Sequence, residues 1–276
     1  MEVKSLKITT KGRQDVHLTV YSDLHLGSSS CDETALRTHM DERASLPNSV
    51  FIGLGDLGDF ILPSDQKRFV LGGNSRAELN VAGYTTAVEE SVRKFIKPYR
   101  WGMFGMGNHC LSVLKHHSVN PMANLANKMG VLYGGYCGFL KLEFETRNSK
   151  GSRGHCDSVI MLYHHGGGGG SVTKGLPWAK RFASGFAGWD VFCFGHNHQA
   201  QIHHETTLRP TDLGKLESQD RYLVNTGTFL QTYSNGGDCP SYGEVSGMSP
   251  VALTAPTIRV RPRVNGGNPR QLQVYF

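Results

Sequence analysis

The 276-residue chain has no run of eighteen or more apolar residues, which excludes a conventional membrane-crossing helix. Its opening stretch, MEVKSLKITTKGRQD, lacks the apolar segment of a secretion signal, so a cytoplasmic location is expected. No Cys-x-x-Cys pair occurs. The six cysteines (Cys31, Cys110, Cys137, Cys156, Cys193 and Cys239) are too scattered for a disulfide framework or a Cys-rich zinc site, so reduced thiols are expected. No block of five or more like charges forms a basic or acidic arm, and no repeat of 20–50 residues marks a solenoid.

What is present is an ordinary globular composition, with 38% hydrophobic and 19% charged residues. The 29 Lys plus Arg outnumber the 23 Asp plus Glu, giving +6. That modest excess favours polyanions without demonstrating one. The basic residues are densest near the end, at Arg259, Arg261, Arg263 and Arg270.

From residue 16 onward, short apolar runs alternate with polar or glycine-rich junctions and helix-like stretches, the pattern of an α/β domain. The strand candidates are Val16–Tyr21, Val50–Leu54, Gly102–Met106, Val159–Tyr163 and Val191–Phe194. Later runs at Tyr222–Asn225, Thr257–Arg261 and Leu272–Phe276 also read as strands, expected to cover the far side of the core. A Thr86-x-x-Glu89 capping box, an apolar stripe and Pro98 predict a helix over Thr86–Lys97. Asn120 as cap, Pro121 in the first turn and Gly130 as stop predict another over Asn120–Met129. Loops are expected at Leu71–Ser75, Arg147–Asp157, Gly166–Gly170 and Ser234–Pro250. No linker divides the chain, and one domain over 1–276 is expected, with its motif-bearing core at about 16–230 and loop and strands over 231–276.

Each of the first five strands runs straight into a group of potential ligands: Asp23-Leu24-His25, Gly55-Asp56-Leu57-Gly58-Asp59, Gly107-Asn108-His109, His164-His165-Gly166 and Gly195-His196-Asn197-His198. Singly these are weak signals. In α/β sheets, however, ligands bind beyond the carboxyl ends of the strands, so residues distant in sequence are expected to converge. Nitrogen and oxygen donors without thiolate suit Mn, Fe, Zn or Ni, and so many of them call for two ions.

This ordered set resembles the calcineurin-like metallophosphoesterase superfamily, whose pattern is Asp-x-His, Gly-Asp-x-x-Asp, Gly-Asn-His-(Asp/Glu), a later His, and Gly-His-x-His. The resemblance covers roughly residues 16–230. It implies a four-layer α/β/β/α sandwich and two divalent metal ions, with manganese favoured. Asp23, His25 and His198 would hold the first ion, Asn108, His165 and His196 the second, and Asp56 would bridge them. His109 would act as general acid, oriented by Asp59. His165 is taken as ligand over His164 because it precedes Gly and because alternation along the strand sends its neighbour to the other face.

Two positions depart from the pattern. Cys110 stands where the superfamily usually has Asp or Glu, and Phe60 replaces the Arg of the protein serine/threonine phosphatases. The second departure and the basic charge favour a phosphodiesterase over a phosphomonoesterase. The expected reaction is hydrolysis of a nucleotide-containing phosphate ester, a cyclic nucleotide or nucleic acid, by a hydroxide held between two ions. Alternatives are a DNA exonuclease or endonuclease, and an inactive scaffold with the same fold. No membrane partner is expected, and the sequence does not specify an oligomeric state.

Overall fold

The computed structural model describes residues 1–11, 14–62, 79, 83–147, 153–167, 173–233, 241–263 and 270–276. Among them, twelve strands form two six-stranded sheets. The first has the order β12(Gln271–Tyr275)-β11(Thr257–Arg261)-β2(Val16–Tyr21)-β3(Ser49–Gly53)-β4(Trp101–Gly105)-β5(Leu132–Gly135). The second has the order β1(Glu2–Lys11)-β6(Cys137–Arg147)-β7(Arg153–His164)-β8(Val191–Phe194)-β10(Leu216–Thr226)-β9(Ala200–Pro210). β2 to β5 are parallel neighbours, as are β7, β8 and β10, which aligns their carboxyl ends within each sheet.

Alternation along the strands decides the layers. Leu18, Val20, Ile52 and Met103 of the first sheet pack against Leu140, Phe144, Met161, Val191 and Val224 of the second, forming a buried seam between the sheets. The intervening residues face outward. Tyr21, Phe51 and Phe104 meet α1(Glu33–Ala44), α2(Tyr84–Ile96), α3(Asn108–His117) and α4(Pro121–Met129) through Leu36, Met40, Val88, Val92, Val113 and Leu125. Leu162, Phe192 and Phe194 meet α5(Leu176–Ala183) through Ala179 and Ala183. The result is helices, sheet, sheet and helix, the α/β/β/α sandwich expected from the sequence. β2 and β8 are wholly buried because both of their faces are covered.

The α4 end signals act as expected. Asn120 accepts the Ala123 N–H at 3.0 Å, Pro121 opens the helix, and Gly130 closes it with a left-handed backbone. The α2 capping box does not form. The helix starts two residues before Thr86, after Gly83, whose carbonyl already accepts the Thr86 N–H at 2.9 Å. Glu89 is buried and takes the Lys128 ammonium of α4 at 2.5 Å, so it joins helices rather than capping one.

Three further expectations change. The C-terminal strands do not cover the far side, because β11 lies against β2 and extends the first sheet. Residues 1–15, given no element by sequence reading, supply β1, with Ile8 fully buried in the seam. The expected loop Arg147–Asp157 is largely strand: β6 reaches Arg147 and β7 begins at Arg153, with 148–152 outside the described residues. The expected loop Leu71–Ser75, Gly168–Gly170 and residues 234–240 also lie outside them. No helix among the described residues is long and apolar enough to cross a membrane.

Candidate metal centre

The carboxyl ends of β2, β3 and β4 in one sheet and of β7 and β8 in the other meet at one edge of the seam. Asp23 and His25 follow β2, Asp56 follows β3, Asn108 opens α3 after β4, His165 follows β7, and His196 and His198 follow β8. Among the described residues, three groups of donor atoms lie within 4.8 Å of one another: Asp23, His25 and His198; Asp23, Asp56 and His165; and His25, Asp56 and His109.

On one side, His25 Nε2 and His198 Nε2 face each other at 3.3 Å, and Asp23 Oδ1 lies 3.6 Å from His198 Nε2. On the other, Asn108 Oδ1 lies 3.0 Å from His165 Nε2 and 2.9 Å from His196 Nδ1. Between them, Asp56 Oδ2 is 3.2 Å from His165 Nε2. Asp56 Oδ1 accepts the His109 backbone N–H at 3.1 Å, in the first turn of α3, where the helix end favours negative charge. All seven ligand candidates therefore gather at one place. His164 does not: its ring turns to the outer face against Trp178 and Phe182, and its Nδ1 accepts the Gly166 N–H at 2.8 Å.

The residues present fit divalent cations. Asp23 Oδ1 is buried without a hydrogen bond, 4.0 Å from His25 Nε2 and from His165 Nε2, too far for direct bonding. A buried carboxylate oxygen without a donor is costly unless a cation takes it up. Ligands held at about 2.0–2.2 Å from a common ion stand about 3–4 Å apart, matching these separations.

Local backbone geometry makes the approach possible. Asp23, His25, Asp56, His196 and His198 all have positive φ, at 54°, 49°, 48°, 73° and 58°. Such conformations are uncommon for side-chain-bearing residues and gather at functional sites. A Cβ on Gly107 would collide with Asp56 Oδ1, and one on Gly195 with Asp23 Oδ2. The glycine before each of these ligand groups thus leaves room for the carboxylate of another strand.

The electrostatics of the protein groups are those of a concentrated acid-imidazole cluster. Burial disfavours the His25 cation, but the Asp59 hydrogen bond and the Asp56 and Asp23 charges outweigh it, raising its pKa to about 9. Burial lowers His198 to about 4, with the neighbouring His25 acting in the same direction. Burial opposes ionisation of Asp56, yet the adjacent His109 and His165 hold its pKa well below the usual carboxylate range.

Asp59 borders two of the histidines. Its Oδ1 lies 3.0 Å from His25 Nδ1 in a hydrogen bond. The same oxygen is 3.2 Å from His109 Nδ1 without hydrogen-bond alignment. Asp59 therefore grips a ligand candidate first and borders the candidate acid second. Cys110, in place of an acidic residue, is fully buried in the helix-side core, and burial pushes its thiol pKa well up. Phe60 is likewise buried, over Gly58 and Val92.

Sequence reading missed a sixth strand end. At the end of β10, Asn225 donates to Asn197 Oδ1 at 2.5 Å, and just beyond it Thr228 donates to the Asp23 carbonyl at 2.6 Å, bracing the loop that carries His196 and His198. The polar residues after Tyr222–Asn225 were the available signal.

Two six-stranded sheets with helices on their outer faces thus carry, at one rim, groups of residues able to bind metal. Among solved structures, the chain is similar to the calcineurin-like phosphoesterase YfkN from Bacillus subtilis, at 10% identity over 94% of this chain and 90% of that one, with a TM-score of 0.42. It is also similar to Vps29 from Chaetomium thermophilum, at 10% identity over 94% and 95%, with a TM-score of 0.35. Neither similarity bears on substrate or activity. No protein-family model and no curated protein matches the chain.

Proposed function

We propose that this protein is a hydrolase of phosphate esters that works with two divalent metal ions, and that its substrate is a nucleotide-containing phosphodiester, a cyclic nucleotide or nucleic acid. The observation that carries this reading is the gathering of seven side chains with nitrogen and oxygen donors at one rim of the seam, among them Asp23, whose Oδ1 is a buried carboxylate oxygen without a hydrogen bond. Asp23, His25 and His198 would hold one ion and Asn108, His165 and His196 the other, with Asp56 placed to serve both. The all-N/O donor set suits Mn first, with Fe, Zn or Ni as alternatives.

When bound, such ions polarise phosphoryl oxygens and acidify the attacking water. The chain's own residues supply the rest. His109 is the general acid. Its Nδ1 faces Asp59 at 3.2 Å, which leaves Nε2 to deliver a proton to the leaving oxygen. Asp59 holds His25 in one orientation and adds negative charge beside His109. Phe60, where the phosphoprotein phosphatases have Arg, removes a cation that would favour a dianionic monoester. The +6 charge favours polyanionic substrates in general. Cys110, Cys137 and Cys193, thiols without a disulfide among the described residues, suit a cytoplasmic setting.

The test is elemental analysis of the purified protein together with hydrolysis of bis(p-nitrophenyl) phosphate in Mn²⁺. Two ions per chain and turnover of the diester above p-nitrophenyl phosphate are expected. A chain that takes up no metal and leaves both esters intact would overturn the proposal and favour a scaffold.

A further inference from the structure

Tyr136 follows β5 at the same edge of the first sheet as the candidate ligands, and the roles assigned above make no use of it. Its ring stands edge-on to His165, with centroids 5.5 Å apart and planes at 74°, and to His164 at 5.2 Å and 89°. Its carbonyl accepts the His165 N–H at 2.9 Å. Backbone and ring are therefore both fixed against a residue of the second ion's set.

The ring is partly buried against the helix-side core, yet among the described residues its hydroxyl makes no hydrogen bond. Its neighbours in type differ. Tyr163 donates to the Gly134 carbonyl at 2.6 Å, Tyr84 to the Asp59 carbonyl at 3.2 Å, Tyr99 to Asp41 at 2.7 Å, and Tyr133 accepts from Asn120 at 2.8 Å. A partly buried phenol usually finds a partner, and one held beside a cleft has its donor free for a ligand.

We propose that the Tyr136 hydroxyl binds substrate, donating a hydrogen bond to a non-bridging oxygen of the phosphoryl group at the metal centre. This deepens the phosphoester reading and rests on it. A phenol is a neutral donor. It suits the single negative charge of a diester phosphate, whose charge the two cations already offset, better than an added Lys or Arg would.

The experiment compares wild type, Tyr136→Phe and Tyr136→Ala, each loaded with Mn²⁺. It measures ions per chain, the affinity for inorganic phosphate by calorimetry, and kcat and KM on bis(p-nitrophenyl) phosphate. Phe keeps the ring against His165 and removes only the hydroxyl. Y136F is expected to retain its ions while binding inorganic phosphate about 10- to 100-fold more weakly, the loss for a hydrogen bond to a charged acceptor. Its kcat/KM falls by a similar factor, and Y136A loses at least as much. A Y136F protein that binds phosphate as tightly as wild type, with unchanged kcat/KM, overturns the proposal. So does one that loses its ions, since the hydroxyl would then serve the metal cage. Failure of the underlying reading looks different: wild type itself would hold no ions and bind no phosphate.

Discussion

Replacing Asp23 by Asn separates what the centre does for stability from what it does for metal binding. Asp23 is fully buried, its Oδ2 accepts the His196 N–H at 2.8 Å, and its Oδ1 has no hydrogen bond. Asp56 and Asp59, also buried, place two more carboxylates in the same pocket. An Asn of the same shape keeps an oxygen for His196 and turns an amide toward His198, whose imidazole burial keeps neutral, while the cationic His25 loses one of its three carboxylate neighbours. In chelator, therefore, D23N removes a buried charge beside like charges and should be no less stable than wild type. The expected gain is about 1–3 kcal/mol, the cost of a buried polar group left unsatisfied. At about 2–4 °C per kcal/mol for a chain of this size, that moves the melting temperature up by about 2–12 °C. In Mn²⁺ the order reverses. Wild type gains stability by mass action as ions bind the folded form. D23N loses a ligand, and its affinity should fall by more than the about 10- to 100-fold seen when groups behind a ligand are removed. Differential scanning fluorimetry in EDTA and across a Mn²⁺ titration reads both arms. A D23N protein that melts well below wild type in EDTA, or whose melting temperature climbs with Mn²⁺ as wild type's does, would falsify the view that Asp23 is held for a cation.

Other outcomes follow from the same geometry. His109→Ala should lose about 10²–10⁴ in kcat on the diester while keeping both ions, checked by steady-state kinetics and elemental analysis. Gly107→Ala should lose metal and activity with its far-UV circular dichroism little changed, because the new methyl occupies the place of Asp56 Oδ1. His39, whose Nδ1 meets the Tyr21 hydroxyl at 3.0 Å, is lowered to about 4 by burial and then by Arg43. The unfolded chain takes that proton first, near pH 6.5, so the stability from neutral His39 is full above that value and is lost as pH falls toward 4. Chemical denaturation of wild type and His39→Gln at pH 7 and pH 4.5 should show a smaller loss in the variant, the difference being on the order of 2–3 kcal/mol at most.

The strands that position the site were readable because they are buried on both faces and so appear as unbroken apolar runs, as in Val16–Tyr21 and Val191–Phe194. The candidate ligands were readable because each sits where such a run stops. What sequence hid follows from the same physics. β9 and the first half of β10 are largely exposed, and their Thr, Glu, His and Arg residues carry little apolar signal. α1 buries only Leu36 and Met40, one turn apart, too narrow a stripe to stand out. The Thr86-x-x-Glu89 pattern misled because a tertiary partner, Lys128, claims the glutamate that a capping box would use. The sharing of Asp59 between His25 and His109 depends on loop shape, to which spacing is blind.

Asp23, His25, Asp56 and Asn108 hang from one sheet, whereas His165, His196 and His198 hang from the other. Ions seated among them would rivet the two halves of the sandwich together at the rim, where apolar packing gives way to solvent. Heat would then have to expel those ions before the halves could part. With such ions bound, the supply of metal in the surroundings would govern how long the protein lasts as well as how fast it works.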